Sequence, residues 1–173
     1  MRKGGSRIPL LLPTVSRNRV TDITPGLLMR MRVRGLLLDV DNTLALHGSQ
    51  TPFAGTVEWS RRLRRRGVRM MIISNNFQNR VLPFAAKYGL PFLSMAMKPF
   101  PVGYRKAAER LGIPPEETAA VGDQVFTDIL GANLAGMKSI LLVPAEKEKS
   151  VSFRLRRLLE RPVRSRAKRR ESL

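Results

Sequence analysis

Apolar and polar positions along the chain alternate between two periods. Gly35-Leu-Leu-Leu-Asp39-Val40 is a near-continuous apolar run of strand length. Val68–Ile73, Thr118–Val121 and Ser139–Val143 repeat the pattern, and Phe92-Leu93 reads as a short fifth piece. Between them lie stretches of helical period: 52–66, 77–88, 102–111 and 125–135, each followed by a glycine at 67, 89, 112 or 136. Buried strands alternating with helices predict an α/β fold, a three-layer doubly wound parallel sheet. The spacing divides the chain into an N-terminal arm (1–34), a core domain (35–145) and a C-terminal helix with tail (146–173). In the arm, Thr24-Pro25 is a helix start, with Thr as cap and Pro at the first helical position. In the tail, Val151, Leu155, Leu158 and Leu159 fall at helical spacing. Pro162 is read as the end of that helix and 163–173 as disordered.

Acid pairs sit where these strands end. Asp39 and Asp41 are two apart, so in extended chain both carboxylates leave on one side. Ser74-Asn75-Asn76 follows the second strand, Lys98-Pro99 the short piece, and Gly122-Asp123 with Asp128 the strand at 118–121. In a doubly wound sheet such ends converge on one crevice. These side chains suit phosphoryl transfer through an aspartyl phosphate. Asp39 is the candidate nucleophile, and Asp41 the acid that protonates the leaving oxygen and then activates water. Lys98 and Ser74, with Thr43 and Asn75, are candidate phosphate contacts. Asp39 and Asp123 are oxygen ligands for a hard cation, Mg²⁺. Asp128 either ligates or orients its neighbour, and Asp41 enters the metal set through its backbone carbonyl with its side chain held off the ion. With no cysteine and His47 alone, thiolate sites are excluded and an all-protein zinc site is disfavoured.

Asp39-Val-Asp41-Asn-Thr43-Leu44, Ser74, Lys98 and Gly122-Asp123 with Asp128, in this order, resemble the haloacid dehalogenase superfamily of phosphatases. The resemblance implies a Rossmann-like fold and the same roles for these residues. Leu11-Leu12-Pro13, Asp22-Ile23-Thr24-Pro25, Ile73-Ser74-Asn75-Asn76 and Val121-Gly122-Asp123-Gln124 make the chain similar to the bacterial YqeG-type, subclass IIIA members. That resemblance implies hydrolysis of phosphatidylglycerophosphate to phosphatidylglycerol. Only 32 residues separate Asp41 from Ser74 and 23 separate Ser74 from Lys98, which leaves no room for an inserted cap domain.

Charge adds an expectation about partners. The 173 residues carry a formal +19, of which +7 lies in 1–34 and +7 in 151–173. Such a balance favours an anionic partner: a phospholipid surface, a phosphorylated ligand or nucleic acid. No apolar run is long enough to span a bilayer and the N-terminus does not read as a signal peptide. The expected location is therefore cytoplasmic, with peripheral contact at the membrane's inner face. Two other functions fit the same residues. One is a phosphatase of soluble or nucleic-acid-end phosphates; the other is a non-catalytic RNA- or ribosome-binding module. His47, Trp59, Phe53 and the arginines at 61–66 read as a solvated loop residue, two core residues and a solvated helix face.

Overall fold

The computed structural model describes residues 10–145 and 158–167. Its centre is a six-stranded, all-parallel sheet in the order β1-β6-β5-β2-β3-β4. The strands are β1 (Val15–Arg17), β2 (Gly35–Leu38), β3 (Arg69–Ile73), β4 (Phe92–Leu93), β5 (Thr118–Gly122) and β6 (Lys138–Leu142). The helices are α1 (Pro25–Met31), α2 (Thr56–Arg65), α3 (Gln78–Tyr88), α4 (Pro101–Leu111) and α5 (Leu130–Ala135). A further helix, α6, runs over 158–167.

Alternation along the buried strands splits the core between the two faces. Leu36 and Leu38 pack with Trp59, Leu63, Phe84 and Tyr88 of α2 and α3. Leu37, Met71, Ile73 and Ala120 face Tyr104, Ala107, Leu111 and Ala132 of α4 and α5. Trp59 also donates its indole N–H to the Ile23 carbonyl at 2.9 Å, tying α2 to the segment that precedes α1. Thr24 caps α1, accepting the Leu27 N–H at 3.1 Å, as its position before Pro25 predicts. The arginine run of α2 is solvated, again as predicted.

Three features depart from the sequence reading. Residues 15–17 add an edge strand, Val15 pairing in register with Ile140, so part of the N-terminal arm belongs to the sheet. Residues 125–135 are not one regular helix: Val125–Ile129 is a wider π-type turn that leads into α5. Pro162 does not end the C-terminal helix, which continues to 167. Its inward face is also different from the expected stripe. Glu160 and Ala167 are buried and Val163 packs on Val125, Ile129 and Leu141, while Leu158 and Leu159 stand in solvent. Val151 and Leu155 lie outside the described residues.

This strand order fixes where a ligand can go. From β2 the chain moves outward through β3 and β4, then returns to the other side of β2 for β5 and β6. Loops leaving β2 and β5 therefore diverge, opening a crevice at the sheet's carboxyl edge. The segments between β2 and β3 and between β3 and β4 each hold one helix, so no inserted cap covers that crevice.

Candidate active site

Asp39 follows β2 immediately, and its N–H donates to the Val121 carbonyl of β5 at 3.0 Å. That bond fixes the end of β2 beside the end of β5, where Asp123 sits fully buried. Asp128 arrives from the π-type turn. Its Oδ2 accepts the Gln124 N–H at 3.1 Å, which folds the side chain back over the β5 end. Gly122 makes this possible: a Cβ there would lie 2.2 Å from both Cγ and Oδ2 of Asp128. Carboxylate oxygens of Asp39, Asp123 and Asp128 all lie within 4.8 Å of one another.

Lys98 enters from the loop after β4. Its side chain is 5% exposed, and Nζ donates to Asp39 Oδ1 at 2.5 Å and Asp128 Oδ1 at 2.7 Å. Asn75 sets the position of this lysine. Its Oδ1 accepts the Lys98 N–H at 2.7 Å and its Nδ2 donates to the Lys98 carbonyl at 3.0 Å. Both ends of the amide thus bond to Lys98's backbone. Gly103, in the first turns of α4, admits this loop; a Cβ there would stand 2.0 Å from the Ala96 carbonyl oxygen.

Burial dominates the electrostatics. It pushes the Asp39 carboxyl up, to about 8, against the pull of Lys98; Asp128 and Asp123 push the same way as burial. Burial opposes the charged form of Lys98 too, but Asp128 and Asp39 outweigh it and hold the ammonium well above its ordinary range. With all four groups ionised, three buried carboxylates against one ammonium carry a formal charge of −2, a state that burial disfavours. A divalent cation on all-oxygen ligands matches both that deficit and the donor chemistry, so the residues fit a hard metal ion.

Asp41 takes a different environment. Its Oδ1 accepts from the Gly48 N–H at 2.9 Å and from Arg80 Nη2 at 2.9 Å, and Oδ2 accepts from Asn76 Nδ2 at 3.1 Å. His47 Nδ1 stands 3.7 Å away. The carboxylate is therefore outside the Asp39/Asp123/Asp128 cluster; a metal role for the Asp41 side chain, as opposed to its carbonyl, has no support in the geometry. The sequence pattern assigns no role to Arg80, Asn76 or Gly48. Arg80 is 39 residues from Asp41, and only the juxtaposition of the β2 and β3 loops brings them together. Asn76 alone carried a local hint, as the second amide after Ser74.

Ser74 is buried directly after β3, and its Oγ accepts the Asn76 N–H at 3.2 Å, leaving the hydroxyl hydrogen to donate to an incoming oxygen. Thr43 Oγ1 is buried with no hydrogen-bond partner among the described residues. A cleft of about 530 Å³ lies beside the carboxylate cluster rather than on it. It touches the site through Asn42 and Thr43 and runs on between Arg19, Phe53 and Val143. Chemistry belongs at the cluster, where the charged groups converge; the cleft offers room for the rest of a larger ligand.

Beneath the site, α6 braces the β5 end. Glu160 is buried, and its Oε1 accepts the Val125 N–H at 2.9 Å, satisfying the start of the π-type turn. Arg164 bonds Glu160 Oε2 at 2.9 Å and the Leu142 carbonyl at 3.1 Å, and also donates to the Asp123 carbonyl.

Comparison with known proteins follows this geometry. Residues 30–136 match the model of the haloacid dehalogenase-like hydrolases. The chain is 32% identical over 158 residues to the Probable phosphatase YqeG of Bacillus subtilis, covering 91% of this chain and 92% of that one. A shorter stretch of 43 residues is 51% identical to a glyceraldehyde 3-phosphate phosphatase of Methanopyrus kandleri, covering 25% of this chain and 18% of that one. Among solved structures, a hydrolase of the same family from Deinococcus radiodurans, crystallised with phosphate and sodium, superposes with a TM-score of 0.56. It is 20% identical and covers 74% of this chain and 89% of its own, a likeness of fold.

Proposed function

The chain belongs to the haloacid dehalogenase-like hydrolases, and on that premise we propose that it is a Mg²⁺-dependent phosphomonoesterase acting through phospho-Asp39, with phosphatidylglycerophosphate as its preferred substrate. One observation carries the chemistry: a buried ammonium bridges Asp39 and Asp128 in a cluster of three carboxylates at the crevice of a parallel sheet. The arrangement suits an anionic group that arrives with its own counter-charge, and among the described residues no inserted segment covers the mouth against a large substrate.

Asp39, Asp123 and Asp128 would hold the divalent ion, which when bound offsets negative charge between nucleophile and phosphoryl oxygens. Lys98 and the Ser74 hydroxyl bind those oxygens, and Thr43 Oγ1 is the other buried hydroxyl available to them. A carboxylate oxygen of Asp39 attacks phosphorus while the ester P–O bond breaks, and the leaving oxygen takes a proton from Asp41. Water then attacks the phosphorus of phospho-Asp39, giving its proton to Asp41 and releasing inorganic phosphate and free Asp39. In the observed geometry Asp41 faces donors only: Arg80, Asn76 and the Gly48 N–H. That setting suits the second half of the cycle, when Asp41 receives the proton. In the first half the side chain turns from Arg80 toward the leaving oxygen.

The lipid substrate is supported by the open site, the adjoining cleft and the chain's similarity to YqeG-type proteins. The discriminating experiment is a side-by-side assay of phosphatidylglycerophosphate and soluble phosphomonoesters with Mg²⁺, using Asp39→Asn as the control. Higher kcat/KM on the lipid supports the substrate. Equal or better turnover of soluble esters removes it and leaves the chemistry. Turnover by Asp39→Asn removes the chemistry itself.

A further inference from the structure

The loops after β3 and β4 form one wall of the site mouth, and they are bound together. The Asn76 carbonyl accepts the Met95 N–H and the Ser74 carbonyl accepts the Ala96 N–H, each at 3.0 Å, beside the Asn75 clamp on Lys98. On this wall the chain breaks its own local rules. Phe77 and Phe100 are the N-cap residues of α3 and α4, where Ser, Thr, Asp or Asn would satisfy a free backbone N–H. Neither makes a side-chain cap, and the two rings are 69% and 65% exposed. Met95 and Met97, 53% and 57% exposed, are held at φ of 49° and 53°, a left-handed backbone that unbranched apolar residues rarely adopt. Isolated apolar side chains on a surface mean little; four on two joined loops at a site mouth form a patch with a purpose. Local inconsistency of this kind concentrates where function overrides stability.

Charge identifies what the patch meets. From Ser74 to Ala108 there is no Asp or Glu; Arg80 and Lys98 are taken up by the site's own carboxylates, while Lys87, Arg105 and Lys106 are exposed cations. Arg17 and Arg19, at the carboxyl end of β1, lie on the same edge of the parallel sheet. Aromatic and thioether groups on loops and helices whose exposed charges are basic complement the headgroup boundary of an anionic bilayer. A protein partner built on charge would require acidic side chains to answer these cations and an apolar pocket for each ring; a bilayer supplies both without specific shape.

We propose that Phe77, Met95, Met97 and Phe100 form a membrane-docking rim that seats the uncapped crevice on an anionic phospholipid surface. This inference rests on the phosphatase reading for what docking delivers: a phosphorylated headgroup presented to Lys98 and Asp39.

The test is flotation of the full-length chain with vesicles of phosphatidylglycerol in phosphatidylcholine, against phosphatidylcholine alone. The parent protein floats with the anionic vesicles. Phe77→Ser/Phe100→Ser, which places good capping residues at both helix starts, melts at or above the parent temperature and partitions at least about tenfold more weakly. Flotation of the double variant equal to the parent overturns the rim, and so does a parent that does not float. A parent that forms dimers in solution, split by the same substitutions, also overturns it by assigning the patch to a second copy. The phosphatase reading fails separately: a chain that floats through this rim but hydrolyses neither lipid nor aryl phosphate loses that reading and keeps the surface.

Discussion

Gly122→Ala perturbs the site without replacing a charged residue. The added Cβ would lie 2.2 Å from Asp128 Cγ and Oδ2, more than 1 Å inside an ordinary van der Waals contact of about 3.5 Å. The backbone there is the last residue of β5, paired with Leu141 of β6 and preceded by Val121, which pairs on both sides, so Asp128 is what yields. Its movement breaks the 2.7 Å bond from Lys98 and the 3.1 Å bond from the Gln124 N–H. Overpacking a filled interior costs about 1–3 kcal/mol. Leaving a buried donor unsatisfied adds about 1–3 kcal/mol. A combined loss of about 2–6 kcal/mol is expected, a large part of a typical domain's stability of about 5–15 kcal/mol. Urea denaturation read by circular dichroism gives this difference. Metal-dependent stabilisation, measured as the rise in melting temperature with Mg²⁺, weakens with it, because Asp128 leaves the carboxylate cluster. Affinity for the ion drops by about 10–100-fold, the usual effect of disturbing a ligand or its support. A Gly122→Ala protein within about 0.5 kcal/mol of the parent, with unchanged Mg²⁺ response, refutes the claim that Asp128 packs against this glycine to complete the cluster.

Four further outcomes follow from the same contacts. The folded Asp39 pKa of about 8 lies above 3.8, so between these values the folded chain holds more protons than the unfolded one. Metal-free stability therefore falls as pH rises through that window, and Asp39→Asn removes this part of the slope in melting curves recorded against pH. Asp41→Asn releases about one equivalent of phenol from an aryl phosphate with an acidic leaving group and then stalls, whereas alkyl phosphates give no burst; stopped-flow absorbance and phosphate release read the two. Arg80→Ala leaves Asp41 without its 2.9 Å ion pair, lowering kcat about 10–100-fold with a smaller change in KM, and Arg80→Lys restores part of the loss. Glu160→Ala leaves the Val125 N–H buried without its acceptor and lowers unfolding stability by about 1–3 kcal/mol; no change in chemical denaturation would remove the bracing role of α6.

The central strands and their helices were legible because burial on both sheet faces leaves uninterrupted apolar runs, and because glycines at 89, 112 and 136 close the helices in left-handed conformations. Convergence of Asp39, Ser74, Lys98 and Asp123 followed from topology alone, since parallel strands put all their carboxyl ends on one edge. What escaped notice is long-range or polar. Val15-Ser16-Arg17 has no apolar signature, being a half-buried edge strand recognisable only by its partner β6. The inward face of α6 is anchored by Glu160, a charged residue that a hydrophobic pattern assigns to solvent, and Pro162 hid the helix's continuation. Asn75 was assigned by its place after Ser74. Its actual bonds run to a backbone 23 residues away, which no local pattern encodes. Arg80 sat in the first turn of α3 as one cation among many until the loops were folded against each other.

The central claim is that Asp39 carries the phosphoryl group. Acid quenching during turnover with Mg²⁺, followed by peptide mass spectrometry, tests it directly, with trapping aided by Asp41→Asn to slow hydrolysis of the intermediate. The account predicts a phosphoryl adduct on Asp39 that disappears in Asp39→Asn together with all turnover. An adduct on Asp123, Asp128 or Ser74 during turnover, or undiminished hydrolysis by Asp39→Asn, would contradict it.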